Sequence, residues 1–149
     1  MLYFAYGSNL NHSQMKKRCV GSKFIKKFIL NNYKLIFSYR DPKEPYGYGN
    51  IEKKKGSKVP GAIWKITLSD ESELDKYEGV SFGSYDKEYF TWKGKKVLVY
   101  IQSKYTKKKP HSRYLHTIIK GYKDCNLNMK YLKKRISYYR FNYNINWDL

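Results

Sequence analysis

The sequence contains few of the residues that build disulfides, metal centres or membrane spans. Its two cysteines, Cys19 and Cys125, lie far apart, and its three histidines show no metal-ligand spacing. No apolar run approaches the ~18 residues of a membrane span. Nothing resembles the apolar core of a secretory signal, because Met1 leads straight into a short strand-like segment. We therefore expect a cytoplasmic protein with no membrane span and no dedicated zinc site.

Acidic residues are scarce, and the chain is strongly basic as a result. There are 12 aspartates and glutamates against 31 lysines and arginines, which gives a formal charge of +19. Such a charge attracts nucleic acid, anionic membranes or acidic metabolites without selecting among them. Only five of the basic residues are arginine, the residue that phosphate sites prefer. Abundant lysine, asparagine and tyrosine also match the codons of an A/T-rich gene, so the charge leaves nucleic-acid binding open without predicting it.

Phosphate-loop and dinucleotide glycine patterns are absent. Cys19 and Ser8 have no histidine at a spacing typical of a nucleophile and its base, which leaves only partners distant in sequence. The chain does contain 41% hydrophobic and 18% aromatic residues, including 17 tyrosines. This composition predicts one folded domain over residues 1–149, with about 141–149 as an aromatic tail that lies on the body or is loose.

Local patterns predict an α+β fold in which helices dominate the last third of the chain. Asn11 is placed to cap a helix over His12–Arg18. Asn31-Asn32 predicts a turn between strands at 24–30 and 33–39. Residues 40–60 are predicted as a loop with one short strand at 48–52, followed by a strand at 59–67. A helix capped by Ser69, with Leu74 and Tyr77 facing the core, is predicted to stop at Gly79, and strands at 85–92 and 95–103 are predicted to form a hairpin. Two helices end the chain: one runs from a Ser112 cap to a stop at Gly121, and the other carries Met129, Leu132, Ile136 and Tyr139. Together they predict a mainly antiparallel sheet, curled into a barrel, with flanking helices.

Two basic stretches could contact a polyanion. The run Lys53-Lys54-Lys55 suits either a solvated loop tip or such a contact. Residues 130–140 interleave lysines with tyrosines, a pattern that fits nucleic acid and also an amphipathic helix with a lysine-covered back. We favour the solvated loop tip for the first stretch and the amphipathic helix for the second, with polyanion contact as the alternative for both.

The most distinctive segment is an apolar strand that breaks at once into a polar loop, Tyr6-Gly7-Ser8-Asn9-Leu10. Gly7 lets the backbone turn or approach a ligand, and Ser8 and Asn9 form local hydrogen bonds that end a strand. Such a loop turns backbone N–H groups outward, where they can hold an anion. An ordinary edge-strand turn would carry the same residues.

Glu78 is the carboxylate with the clearest chemical potential. It ends a predicted helix, against the negative end of the helix dipole and beside Tyr77 and Val80, and both conditions favour its protonated form. A raised pKa suits a group that takes a proton from an amine and returns it near neutral pH. A surface glutamate before a capping glycine is the alternative interpretation.

Three motifs in order resemble the gamma-glutamylcyclotransferase-like family, which includes the gamma-glutamylamine cyclotransferases and the plant avirulence-induced (AIG2-like) proteins. They are Tyr6-Gly7-Ser8-Asn9-Leu10, Gly61-Ala62-Ile63-Trp64, and Leu74-Asp75-Lys76-Tyr77-Glu78-Gly79-Val80 followed by Tyr85. Weaker agreement appears at Met15, Arg18 and Tyr114. The resemblance runs from Leu2 to about Tyr139.

The resemblance implies a small mixed β-barrel whose pocket mouth carries the opening loop. It implies that Tyr6 and the Gly7-Ser8-Asn9-Leu10 loop hold the glutamyl end of a small γ-glutamyl substrate, that Tyr85 and Tyr114 line the pocket, and that Glu78 is the general acid/base. The implied reaction closes 5-oxoproline and releases an amino acid or amine, with no cofactor or metal. Substrate choice is expected to depend on the 40–58 loop. A basic binding module, or an inactive relative, remains the alternative.

Overall fold

The computed structural model describes residues 1–139 and 145–148. Within them, six strands form one curled sheet in the order β4-β5-β1-β3-β2-β6, with four α-helices around it. The strands are β1 (Leu2–Ala5), β2 (Lys23–Tyr39), β3 (Tyr48–Lys65), β4 (Asp86–Trp92), β5 (Lys95–Ile101) and β6 (Thr106–Lys107). The helices are α1 (His12–Arg18), α2 (Leu68–Tyr77), α3 (Ser112–Asp124) and α4 (Met129–Ser137).

The short strand β1 lies at the centre of the sheet. It pairs antiparallel with β3 and parallel with β5, and the other described pairings are antiparallel. Its residues Phe4 and Ala5 are buried in the core. The sheet curls so far that Phe28 of β2 stacks on Phe90 of β4, with ring centroids 5.7 Å apart, although these strands are not neighbours. The predicted mainly antiparallel, barrel-like sheet is confirmed, in the form of a half-barrel.

The predicted turn at Asn31-Asn32 is wrong. Strand β2 continues through it and pairs with β3 over most of its length, so the predicted loop shrinks to residues 40–47. Asn32 does adopt a left-handed backbone, with φ of +66°, but it marks a shift in register: Asn31 pairs with Lys58 and Tyr33 pairs with Lys53. Residues 54–57 of β3 therefore lie opposite Asn32, and the Gly56 N–H donates to its side-chain oxygen at 3.1 Å. We call this long antiparallel pair the β2–β3 ribbon.

The first two helices follow the predicted pattern with two corrections. Asn11 caps α1, its side-chain oxygen accepting the Gln14 N–H at 2.9 Å. The cap of α2 is Thr67 rather than Ser69, because Thr67 and Asp70 form a reciprocal capping box. The predicted stop at Gly79 is confirmed by its left-handed φ of +63°. Leu74 is buried as predicted, but Tyr77 is 55% exposed rather than part of the core.

Helix α3 does not stop at the predicted glycine. His111, not Ser112, is its cap, and the helix runs through Gly121 to Asp124. Gly121 serves a packing role instead, since a Cβ there would lie 2.6 Å from the backbone nitrogen of Asn11. Because Gly121 has no side chain, α3 packs closely against the end of the opening loop.

The remaining predicted elements are present. Strands β4 and β5 form a hairpin whose turn residues, Lys93 and Gly94, are both left-handed. Helix α4 buries Leu132 and Ile136. Of the predicted tail, Ile145 and Trp147 pack against the body, whereas positions 140–144 and 149 lie outside the described residues.

Candidate active site

A cavity of about 400 Å³ opens beside the opening loop. Among its lining residues are seven of the eight predicted site residues: Tyr6, Gly7, Ser8, Asn9, Glu78, Tyr85 and Tyr114. The eighth, Leu10, is fully buried in the core. The structure therefore brings the first motif and Glu78, about seventy residues apart in sequence, to one cavity.

The opening loop forms a single 3-10 turn over Ser8–Leu10, immediately after β1. The Leu10 N–H donates to the Gly7 carbonyl at 3.1 Å, and Gly7 provides no capping side chain. The first N–H groups of such a turn have no partner inside it, so those at Ser8 and Asn9 are suited to hold a carbonyl oxygen or an anion. Gly7 also allows a close fit, since a Cβ there would lie 3.4 Å from the Tyr114 hydroxyl.

Helix α1 holds this loop through two side chains on one face. Gln14 donates from Nε2 to Ser8 Oγ at 2.8 Å and to Asn9 Oδ1 at 2.9 Å. Arg18 donates to the same Asn9 Oδ1 at 3.1 Å, while its guanidinium lies 4.1 Å from the centre of the Tyr77 ring. Asn9 in turn donates to the Tyr3 hydroxyl at 3.0 Å. The Asn9 amide is thereby fixed from both ends, which orients the backbone beside it.

Glu78 lies at the end of α2, where its own N–H still donates to the Leu74 carbonyl at 2.8 Å. The left-handed Gly79 then turns the chain away, so Glu78 is held at the last turn of the helix. Its side chain is half-buried and lines the cavity. Since the capping box anchors the other end of α2, the helix presents Glu78 from a defined position.

Burial raises the pKa of Glu78 from 4.5 to about 7, and the positive charge of Arg18 opposes the rise. A carboxyl with this pKa is present in both protonation states near neutral pH. It can accept a proton and return it without a large free-energy cost in either direction. The sequence-based prediction of a raised pKa agrees with this shift, and burial is its main cause.

Two tyrosine hydroxyls converge on the backbone of Gly49. Tyr85 donates to the Gly49 carbonyl at 2.5 Å, and the Gly49 N–H donates to the Tyr114 hydroxyl at 2.8 Å. Because Tyr114 accepts in this bond, its own hydroxyl hydrogen is left to donate to another group. Burial raises the pKa of Tyr85 and Tyr114, and the charge of Glu78 adds to both shifts. Both hydroxyls therefore stay protonated near neutral pH.

Sequence reasoning did not assign several cavity residues to the site. They are Tyr3, Gln14, Arg18, Tyr39, Tyr48, Gly49, Tyr77, Gly79, Ser84 and Tyr100. Gln14 and Arg18 could have been found, because residues four apart share a helix face and α1 directly follows the loop. No sequence pattern indicated that Tyr39 or Tyr48 would lie at the cavity. Their rings lie 5.5 Å apart only because β2 and β3 pair.

The described residues contain no group of three or more histidines, cysteines or acids arranged to hold a metal ion. In the same part of the chain, no helix is both long enough and apolar enough to cross a membrane. Both cysteines are buried and unpaired.

Comparison with known proteins identifies relatives over most of the chain. The model of the AIG2-like family matches residues 58–134. Gamma-glutamylcyclotransferase of Bos taurus is 33% identical over 142 residues, covering 89% of this chain and 76% of the relative. That of Homo sapiens is 31% identical with the same coverage. A solved gamma-glutamyl cyclotransferase structure superimposes with a TM-score of 0.79 at 29% identity, covering 91% of this chain and 85% of that one.

Proposed function

This chain belongs to the gamma-glutamylcyclotransferase (AIG2-like) family, and on that premise we propose that it converts a γ-glutamyl compound to 5-oxoproline. The single observation that carries the proposal is the meeting of Glu78, with its pKa of about 7, and the Gly7-Ser8-Asn9 loop in one cavity. An inactive relative would have no need to keep a half-buried carboxyl in that environment.

The reaction is an intramolecular acyl transfer. The α-amine nitrogen of the γ-glutamyl group attacks the side-chain carbonyl carbon and forms the ring C–N bond, and the C–N bond to the departing amino acid or amine breaks. Both reacting groups belong to one molecule, so holding the glutamyl chain folded accounts for much of the rate enhancement. The proposed substrate is thus a small γ-glutamyl compound, and no cofactor takes part in the steps as written.

Glu78 is the general acid/base of this proposal. As the carboxylate it takes a proton from the attacking amine, and as the carboxylic acid it delivers that proton to the departing nitrogen. The two steps return Glu78 to its starting state, so its proton count balances over one turnover. The nearby Arg18 charge keeps the carboxylate accessible near neutral pH by opposing the effect of burial.

The opening loop holds the glutamyl end in this proposal. Backbone N–H groups at Ser8 and Asn9 bind the substrate oxygen that gains negative charge as the ring closes. Gln14 and Arg18 keep these groups in place through Ser8 Oγ and Asn9 Oδ1. The remaining hydrogen of the Tyr114 hydroxyl donates to the substrate. Tyr6 and Leu10 support the loop from behind: the Tyr6 hydroxyl donates to the Tyr100 carbonyl at 2.6 Å, and Leu10 is buried in the core.

The test is an assay for 5-oxoproline with purified protein and a panel of substrates: γ-glutamyl dipeptides, γ-glutamyl-ε-lysine and glutathione. At least one of them is expected to be turned over. Glu78→Gln should lower kcat by about 10²-fold or more, the usual size of a lost acid/base group. Glu73→Gln, on the exposed side of the same helix, is the matched control and should retain activity.

Two results would contradict the proposal. Equal product from wild type and Glu78→Gln would remove the acid/base assignment. Absence of turnover on the whole panel, together with a polyanion affinity that falls steeply with salt, would favour the alternative of a basic binding module.

A further inference from the structure

A second cavity, separate from the active site, lies along the edge of the β2–β3 ribbon. It measures about 570 Å³, and its lining residues are Lys26, Lys27, Phe28, Ile29, Pro60, Trp92, Asn126, Leu127 and Asn128. None of them lines the first cavity. We call this feature the ribbon groove. Its floor is mainly apolar, with Phe28 and Trp92 packed edge to face at 5.9 Å.

The edge of β2 that borders this groove has no strand beside it in the described part of the chain. Strand β6 pairs only with Ser38 and Tyr39. Next to them, one side chain of α4 and one just after it cover the edge: the Leu35 N–H donates to the Tyr131 hydroxyl at 3.0 Å, and the Phe37 N–H donates to the Tyr139 hydroxyl. Beyond these residues, none of the hydrogen bonds found among residues 1–139 and 145–148 engages an outward N–H or C=O group of β2, so these groups can pair with another strand.

The same edge exposes apolar side chains. Ile29 is 49% exposed and Ile25 is 43% exposed. Isolated exposed isoleucines are common, but Ile29 lines the apolar groove and Ile25 lies four residues before it on the same strand. Covering them would bury apolar area at the same place where backbone hydrogen bonds can form.

The groove is also positively charged. Lys26 lies 5.8 Å over the Trp92 ring, and Lys27 reaches the Asn126 carbonyl at 3.5 Å. No aspartate or glutamate is among the groove's lining residues. Lysines on an open edge discourage pairing with a second copy of the same strand, because like charges would meet. An acidic strand would experience the opposite effect.

We propose that the ribbon groove and the edge of β2 bind an extended peptide of alternating acidic and apolar residues from another protein, by strand addition. The register of β2 is uninterrupted from Lys26 to Asn31, between two register shifts. This gives room for about six residues of added strand, roughly 20 Å long. Backbone hydrogen bonds provide affinity, the groove takes an apolar side chain, and the lysines select for acids.

The proposal is tested with a fluorescein-labelled peptide, acetyl-(Glu-Val)₄-amide, titrated with the full chain and followed by fluorescence anisotropy at physiological salt. Saturable binding is expected, with amide chemical-shift changes at Lys26–Ile29. N-methylation of alternate residues removes the N–H groups that a ladder needs, and should weaken binding at least about tenfold. The peptide (Lys-Val)₄ should not bind.

Two charge-reversal variants locate the site. Lys26→Glu with Lys27→Glu should weaken peptide binding at least about tenfold. Lys53→Glu with Lys55→Glu carries the same change in charge away from the groove and should weaken it less than about twofold. Neither pair lies in the active site, so 5-oxoproline formation, where present, should be unchanged in both. Circular dichroism checks that each variant is folded.

Several outcomes would overturn the proposal. They are absence of binding, equal binding of the N-methylated peptide, and equal weakening by the two charge-reversal variants, which would indicate diffuse attraction rather than a site. Competition by single-stranded RNA that depends on Lys26 and Lys27 would assign the surface to a polyanion instead.

Discussion

Replacement of Glu78 by glutamine should lower activity and increase stability. In the unfolded chain its carboxyl titrates near 4.5, whereas in the folded chain it titrates near 7. Between pH 4.5 and pH 7 the folded chain holds this proton and the unfolded chain has released it, so folding takes up a proton in this range. The stability that the protonated form contributes is lost as the pH rises through 7. The Glu78→Gln side chain has nearly the same shape and no charge, so it removes this pH-dependent cost.

The size of the effect follows from the two pKa values. Keeping the carboxyl in its folded environment costs about 1 kcal/mol at pH 5 and about 3 kcal/mol at pH 8. The advantage of Glu78→Gln over wild type should thus grow by up to about 2 kcal/mol between these pH values, less whatever water in the cavity screens. For a chain of this size, that is roughly 4–8 °C in melting temperature.

The assay is thermal unfolding followed by circular dichroism at pH 5, 6.5 and 8. The melting temperature of Glu78→Gln minus that of wild type should increase steadily with pH. Glu73→Gln, which removes a carboxylate from the solvent-exposed side of α2, should show nearly the same difference at each pH. An advantage of Glu78→Gln that is constant, or that shrinks as the pH rises, would refute the reasoning about burial.

Three further predictions concern Glu78, Arg18 and the packing of α3 against the opening loop. First, kcat/KM should rise about tenfold from pH 6 to pH 8 with a midpoint near 7, because the free enzyme must hold Glu78 as the carboxylate; a flat profile would exclude it as the base. Second, Arg18→Met should move this midpoint to higher pH, since Arg18 lowers the pKa of Glu78, whereas the exposed Arg113→Met should not. Third, Gly121→Ala should cost about 1–3 kcal/mol in urea unfolding, because its Cβ would lie 2.6 Å from the Asn11 nitrogen; an unchanged midpoint would show that α3 can shift freely.

Features that depend on neighbouring residues could be predicted from the sequence. The Asn11 cap and the Gly79 stop are set within one helical turn, and both are present. The meeting of Glu78 with the opening loop was predicted from motifs in combination, and the structure places both at one cavity. Their catalytic and binding roles stay predictions.

Features that depend on distant partners could not be predicted in this way. Asn32 has the left-handed backbone that its sequence indicates. Because β3 pairs with β2 on both sides of it, Asn32 lies at a register shift rather than in a turn. The sequence predicts a helix stop at Gly121. The glycine is instead required by the close approach of Asn11, which lies 110 positions earlier in the chain. Tyr39 and Tyr48 reach the cavity for the same reason, since only the ribbon pairing brings them together.

The central position of β1 also has a consequence for folding on the ribosome. Of the six strands, β1 is synthesised before the others, but its partners are Ala62–Lys65 and Val97–Leu98. Contacts between such distant segments form slowly, because a long loop must close first. The opening loop cannot be fixed beside Glu78 and Tyr114 until most of the chain has been made. Incomplete chains therefore carry the opening loop without the cavity, and the proposed activity should appear only once the last strand and α3 have joined the fold.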